Sequence, residues 1–271
     1  MTAPQWLLQS NHPNLGAISE IAAILQGLGK SVQRVALKGH STEMPDLGGV
    51  DPSLPVICYG PSFVPRAYRH PGLEPGIFFD PDLFRYVAFQ RGWDELMLSR
   101  DAVVVDVEAA SRQITRLGKA FVRPDEDSKS FDGGVHDAAS FDAIVGTLRA
   151  KDLLPLAVIV APAVKIEAEW RTFVVDGDVV AASSYRVDGK ANIDAYVPPE
   201  VIDLAFEAAG RWQPDTVFCL DVARSEGRYG VIEANCFNAS RFYGANAETI
   251  LAAVSRSVEA RVGLGGEPGG R

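Results

Sequence analysis

Three oxygen-bearing side chains, Asp221, Glu233 and Asn235, sit on two short apolar runs, VFCLDVAR (217–224) and YGVIEAN (229–235). Ser225-Glu226-Gly227-Arg228 joins them, and a glycine-containing turn between two such runs predicts an antiparallel hairpin. With Glu226, Gly227 and Arg228 as a three-residue loop, Ser225 faces Tyr229 and Asp221 faces Glu233. Asn235 follows two residues later on the same face. Facing carboxylates repel and weaken a sheet, and a divalent cation between them removes that conflict. Asp, Glu and Asn offer only oxygen, the donor set of Mg²⁺, which completes its shell with water and phosphate. Asp221, Glu233 and Asn235 are therefore the expected metal ligands. Two ordinary solvent-facing acids are the alternative, and the apolar flanks argue against it, because exposed edge hairpins carry more charge.

Cations precede this hairpin. FVRPDEDSKSFDGGV (121–135) reads as a strand ending at Arg123, a polar loop carrying Lys129, and the pair Gly133-Gly134. Glycine lets backbone approach a ligand closely, while Arg123 offers a fork and Lys129 a mobile point charge to phosphate oxygens. The same loop holds Asp125, Glu126, Asp127 and Asp132, so a solvated loop whose charges answer one another stays open as a reading. Further on, EAEWRTFVV (167–175) and DVVAASSYR (178–186) flank Asp176-Gly177, the strongest short hairpin signal in the chain. That turn sets Val175 against Asp178, Glu169 against Ser184 and Glu167 against Arg186. Period two also puts Glu167, Glu169 and Arg171 on one face. Two acids and two arginines gathered this way fit either cross-strand ion pairs or contacts to a charged ligand. Just upstream, the apolar run 158–164, with Val160, Ala161 and Val164, offers a wall for an adenine ring. Gly29-Lys30-Ser31 imitates the end of a phosphate-binding loop, but Ile24 stands where that motif needs glycine, so Gly29 reads as a helix C-terminal glycine.

The elements that must position these residues alternate along the chain. Short β-like runs at Gln5 to Leu8, Val32 to Leu37 and Pro55 to Tyr59 enclose a helical periodicity from Ala17 to Leu28, the rhythm of an α/β domain. Leu83, Phe84, Val87 and Ala88 share one face of a helix expected over Pro81 to Gln90, started by Asp80 or the proline after it. Ala102 to Val107 and Gly118 to Arg123 read as strands. Tyr59-Gly60-Pro61-Ser62 and Arg66 read either as a plain loop or as part of an acceptor site. The end of the chain, GLGGEPGGR (263–271), has no apolar periodicity and is expected to be a flexible tail.

Composition limits what such a molecule does. The 271 residues, 47% of them apolar, are enough for two or three packed subdomains. A formal net charge of −9 leaves no domain-wide basic footprint, which argues against nucleic acid and anionic membrane as main partners. Cys58, Cys219 and Cys236 lie far apart with no CxxC pair, as in a reduced cytoplasm. No secretory leader or membrane-length apolar stretch appears.

From about Arg123 to Tyr243 the order of these motifs resembles the ATP-grasp family, in particular a clade described by two arginines and one lysine at the nucleotide site. FVRPDEDSKSFDGGV, EWRTFVVDGDVV with SSYR, and CLDVAR followed by GVIEANCFNASRFYG carry the resemblance. It implies an α/β (α+β) fold in which an N-terminal domain, 1–95, precedes two ATP-grasp subdomains, 96–262, enclosing the nucleotide. It implies ATP and Mg²⁺ as cofactors, with Asp221, Glu233 and Asn235 at the family's metal positions. Arg123 and Lys129 match its phosphate-facing cations, Arg123 standing where lysine is common, and Arg171 or Arg186 is the second arginine, Arg171 favoured by its Glu-x-Arg context. Glu167 and Glu169 belong to the same nucleotide-side set, and Arg241 and Asn238 are expected near the reacting group. The implied activity is a carboxylate–amine ligase acting through an acyl phosphate on small-molecule or peptide substrates. A kinase on the same scaffold and a nucleotide-binding protein without turnover are the alternatives.

Overall fold

A computed structural model of the chain describes residues 3–11, 15–38, 43–125 and 130–264. Lys129 and the tail from residue 265 lie outside them. The first unit is a parallel sheet of β1 (Gln5–Gln9), β2 (Ser31–Val35), β3 (Val56–Tyr59) and β4 (Pro75–Gly76), in the order β2-β1-β3-β4. Helix α1 (Leu15–Gly27) makes the crossover that parallel neighbours need. Helix α2 (Val64–Ala67) follows β3. Helix α3 (Tyr86–Trp93) begins later than the apolar spacing predicts. Asp80 instead closes a separate turn with Leu83 and Phe84, and Arg85 is extended and tied to the buried Asp125 by its Nε at 2.9 Å.

A small antiparallel sheet comes next: β5 (Val103–Asp106), β6 (Ala120–Pro124), β7 (Gly134–His136) and β8 (Ala157–Pro162), ordered β5-β8-β6-β7. Helices α4 (Val107–Leu117) and α5 (Ala138–Ala150) cover one face. Asp106 and Asp137 cap them by accepting from the amides of Ala109 and Ser140, satisfying donors a helix start leaves open. Val107, Ala110, Ile114, Phe141 and Leu148 pack there on Ala120, Val122, Val158 and Val160.

The large sheet runs β11-β10-β9-β12-β13, all antiparallel, from β9 (Ala168–Val175), β10 (Asp178–Val187), β11 (Lys190–Asp194), β12 (Val217–Ser225) and β13 (Arg228–Cys236). Both faces are covered, so its central strands are apolar on alternate sides. Phe173, Val175, Val217 and Cys219 join α1 and α7 (Ala247–Leu264) in one core. Val174, Phe218 and Leu220 join α3 and α6 (Pro199–Arg211) in another.

Bulges set the register of both charged hairpins. Ser225 pairs with Arg228, leaving a two-residue turn, Glu226-Gly227, with φ of 51° and 75°. The three-residue loop expected from sequence is therefore not formed. One extra residue, Ile232, then shifts the register by one, and Asp221 pairs with Glu233. In the other hairpin Val175 pairs with Asp178, but shifts around Val180 and Tyr185 bring Arg186 opposite Glu169. The expected pairs Glu169 with Ser184 and Glu167 with Arg186 are displaced for that reason.

Candidate active site

The small and large sheets meet at a cleft of about 420 Å³. Phe121, Arg123, Ile159 and Ala161 line it from one side and Glu169, Arg186, Ile232 and Glu233 from the other. Period two sorts the residues expected around a flat ring. Ala161 and Val164 line the cleft, whereas Val160 turns to the opposite face and packs under α4 and α5. Gly133 also lines the cleft, where a Cβ would stand 2.9 Å from that of Arg123, so the chain passes closely only without a side chain.

At the polar end, carboxylates and cations interlock. Arg171 on β9 donates through Nε and Nη2 to the two oxygens of Asp221 on β12, at 2.8 and 2.6 Å. Asn235 Nδ2 donates to Asp221 Oδ2 and to Glu233 Oε1, both at 3.1 Å. The other oxygen of Glu233 accepts from Nη1 of Arg123, an ion pair that crosses the cleft from β6 to β13. Burial pushes the Asp221 carboxyl up despite Arg171. Burial would push Glu233 up too, but the charge of Arg123 and the Asn235 hydrogen bond outweigh it and hold that carboxyl below the usual range. Glu169 on β9 accepts from the Tyr185 hydroxyl at 2.7 Å and pairs with Arg186 at 2.9 Å. The bulge at Tyr185 makes both contacts possible, since consecutive residues then reach one carboxylate.

Other expected residues go elsewhere. Glu167 pairs with Arg224 at 2.7 Å and does not line the cleft. Asn238 is fully buried, its amide bonded to the Cys58 carbonyl at 2.6 Å and the Phe78 amide at 2.7 Å, so it fastens the end of β13 to the first sheet, where it borders a second cavity. Arg66 is likewise buried on the carbonyls of Ser62, Lys38 and Glu43. Arg241 lines that second cavity, beyond the first cleft. The sequence reading missed Tyr185 and Tyr243. Their rings stack 5.0 Å apart, with the Arg171 guanidinium over both, at 5.7 and 5.3 Å. The only signal for them is aromatic residues beside the arginines of SSYR and SRFYG.

Asp221 and Glu233 converge with their oxygens and Asn235 with its Nδ2, and Glu233 stays partly open to the cleft; with the Asn235 amide reversed the three would offer oxygen alone, the donor chemistry that fits a hard divalent cation. Among the described residues no group of three or more His, Cys, Asp or Glu side chains is placed to hold a metal ion.

A family model described as an ATP-grasp domain of the R-two-K clade, family 2, matches residues 97–253, more than half of the chain. Among solved structures, the D-alanine–D-alanine ligase of Bacillus anthracis is similar at 12% identity and a TM-score of 0.64, covering 97% of this chain and 99% of that one. The D-cycloserine synthetase DcsG follows at 14% identity and 0.63, covering 94% and 99%. The ATP-grasp ligase PsnB, complexed with minimal precursor, Mg and ADP, matches at 16% identity and 0.59, covering 95% and 98%. No curated protein matches the chain in sequence. The fold, the order of its strands' charged residues and the matched segment lead to one assignment: this chain belongs to the ATP-grasp domains of the R-two-K clade, family 2.

Proposed function

We propose that this chain is an ATP-dependent carboxylate–amine ligase whose nucleotide lies in the 420 Å³ cleft. One observation carries the reading: Asp221, Asn235 and Glu233 form a hydrogen-bonded row, with Arg171 at its buried end and Arg123 at its open end, beside an apolar slot. Ile159, Ala161 and Val164 take the adenine face. Glu169 and Arg186 sit at the ribose side, and Arg123 and Lys129 offset phosphate charge, while Arg171 acts from behind through Asp221. Glu233 and Asn235, with Asp221, would hold Mg²⁺, which when bound neutralises charge between phosphate oxygens. Arg171 fixes Asp221 in place through two hydrogen bonds.

The reaction needs no protein nucleophile. A carboxylate oxygen of the acid attacks the γ-phosphorus, the bond to the bridging oxygen breaks, and ADP leaves. The amine nitrogen then attacks the acyl carbon, phosphate departs with the bonding pair of the C–O bond, and the nitrogen gives up a proton to solvent. Cys236, next to Asn235, points into a buried contact with Asn238 and takes no part. Cys58 and Cys219 are buried free thiols as well, as suits a cytoplasmic protein. Among the described residues no helix is long and apolar enough to cross a membrane. Residues 1–95 form the preceding domain and supply one wall for the acceptor side.

The test is product analysis. With the right acid, hydroxylamine in place of the amine yields a hydroxamate, ADP and phosphate. A stable phosphorylated acid that survives hydroxylamine would make the chain a kinase instead.

A further inference from the structure

Between α3 and β5 the chain at 97–102 forms no helix or strand, yet its carbonyls are taken up in turn by side chains from two other elements. Arg228 of β13 donates to the carbonyls of Met97 and Leu98. The Tyr86 hydroxyl donates to that of Ser99 at 2.7 Å, and Gln90 of α3 to those of Arg100 and Ala102 at 3.4 and 2.7 Å. The Leu98 amide in turn donates to the Val231 carbonyl at 2.8 Å. Irregular backbone whose polar groups are answered this fully is held to one path. Leu98 and Ser99 lie on the wall of the first cleft, and so does Tyr86, whereas Arg228 and Gln90 hold the stretch from outside it. Tyr86 is itself fixed at the start of α3: its amide donates to the Asp125 carbonyl at 3.4 Å, and the next amide, of Val87, to the Asp125 carboxylate at 3.3 Å. Burial pushes its hydroxyl up to about 12, so it stays a donor at neutral pH, and the opposing influence of Arg123 marks that cation as its neighbour across the same wall. The Ser99 hydroxyl, in contrast, has no hydrogen-bond partner among the described residues.

We infer that the Ser99 hydroxyl donates to the phosphate oxygens of the nucleotide, next to Arg123, and that Tyr86 is the residue that positions it. The inference rests on the nucleotide site proposed above. A hydroxyl bonded to an ionised oxygen makes a stronger hydrogen bond than one bonded to a neutral acceptor. Little ordering is needed when the ligand arrives, because the backbone that carries the hydroxyl is already immobilised. Tyr86 acts on Ser99 through its carbonyl and from inside the cleft, so losing the Tyr86 hydroxyl loosens the donor without removing it.

Calorimetry of AMPPNP with Mg²⁺ on the full chain and its variants tests both parts. Absence of binding by the parent would refute the nucleotide site, and the contact falls with it. With the parent binding, Ser99→Ala is expected to weaken AMPPNP about tenfold, the scale of one hydrogen bond to a charged group, and Ser99→Thr to restore most of the loss. Ser99→Asp puts a negative charge where phosphate is expected, and should bind more weakly than Ser99→Ala. Tyr86→Phe is expected to cost about threefold alone and nothing further on top of Ser99→Ala, because it works through that hydroxyl. Binding by Ser99→Ala equal to the parent's, or by Ser99→Asp as tight as by Ser99→Ala, overturns the phosphate contact and leaves the nucleotide site in place. Losses from Tyr86→Phe and Ser99→Ala that simply add, with a lower urea midpoint for Tyr86→Phe, would make Tyr86 a structural residue and overturn its positioning role.

Discussion

Two arginine–carboxylate pairs lie at opposite ends of one hydrogen-bonded row, and they differ in what surrounds them. Arg171 and Asp221 are joined by two bonds inside one sheet, with side chains 9% and 1% exposed. Arg123 and Glu233 are joined across the cleft between two sheets, at 25% and 23%. A buried pair has no water to fall back on, so its partners must stay together, and it serves as scaffold. An open pair exchanges partners at small cost, because water and ligand groups compete for each member. Binding of a nucleotide and cation would separate the second pair, Arg123 going to phosphate and Glu233 to the metal, and leave the first intact. Asn235, donating to both carboxylates, couples the two ends.

The largest expected effect tests the buried end. Arg171→Ala leaves Asp221 ionisable, buried and unpaired, and should destabilise the fold by about 3 to 5 kcal/mol, measured by chemical denaturation. A variant as stable as the parent would remove the distinction between the two pairs. Arg123→Ala should do the opposite: about 1 kcal/mol or less of stability, but about 2.7 to 4 kcal/mol of transition-state stabilisation, read from kcat/KM. Glu233→Gln keeps the shape and the Asn235 contact and should likewise lower turnover far more than melting temperature. Should Glu233→Gln unfold the protein, Glu233 belongs with the scaffold.

A smaller effect tests how the two sheets are held at this spacing. Gly230 of β13 passes so close to the chain leaving α3 that a Cβ would lie 2.6 Å from the Leu98 Cα. Gly230→Ala must push that backbone away and should cost about 1 to 3 kcal/mol. Unchanged denaturation would mean the contact yields freely.

Much of this was legible in the sequence because charge on an apolar strand is costly and has to be answered. Asp221, Glu233, Asn235 and Arg171 stand out for that reason, and period two put them on one face. The bulges were not legible. A two-residue turn plus one bulge at Ile232 gives the same Asp221–Glu233 pairing as a three-residue turn without one, so that register was reached through a wrong turn. The β9–β10 hairpin had no such cancellation, and its charged pairs were displaced. Long-range packing was also invisible: Arg66 is held by backbone carbonyls of distant segments, and Asn238 donates to the Cys58 carbonyl and accepts from the Phe78 amide. Lys129 lies outside the described residues, so its place at the phosphates remains part of the proposal.

The smallest expected effect concerns the aromatic partition between the two cavities, and it separates positioning from structure. Tyr185 has its ring against Tyr243 and Arg171 on the second-cavity side, and its hydroxyl on Glu169 of the first. Tyr185→Phe keeps every ring contact and deletes one hydrogen bond, which is worth about 0.5 to 1.5 kcal/mol. Glu169 retains Arg186, so no carboxylate is left buried alone and the fold should barely change. If Tyr185 only packs, both kinetic constants stay as they were. If it aligns Glu169 for the nucleotide, KM for ATP rises several-fold with kcat nearly constant, because ground-state and transition-state binding are lost equally. The second outcome is expected, since the bulge that brings Tyr185 and Arg186 to one carboxylate interrupts the β9–β10 ladder at the point where Glu169 and Arg186 line the cleft.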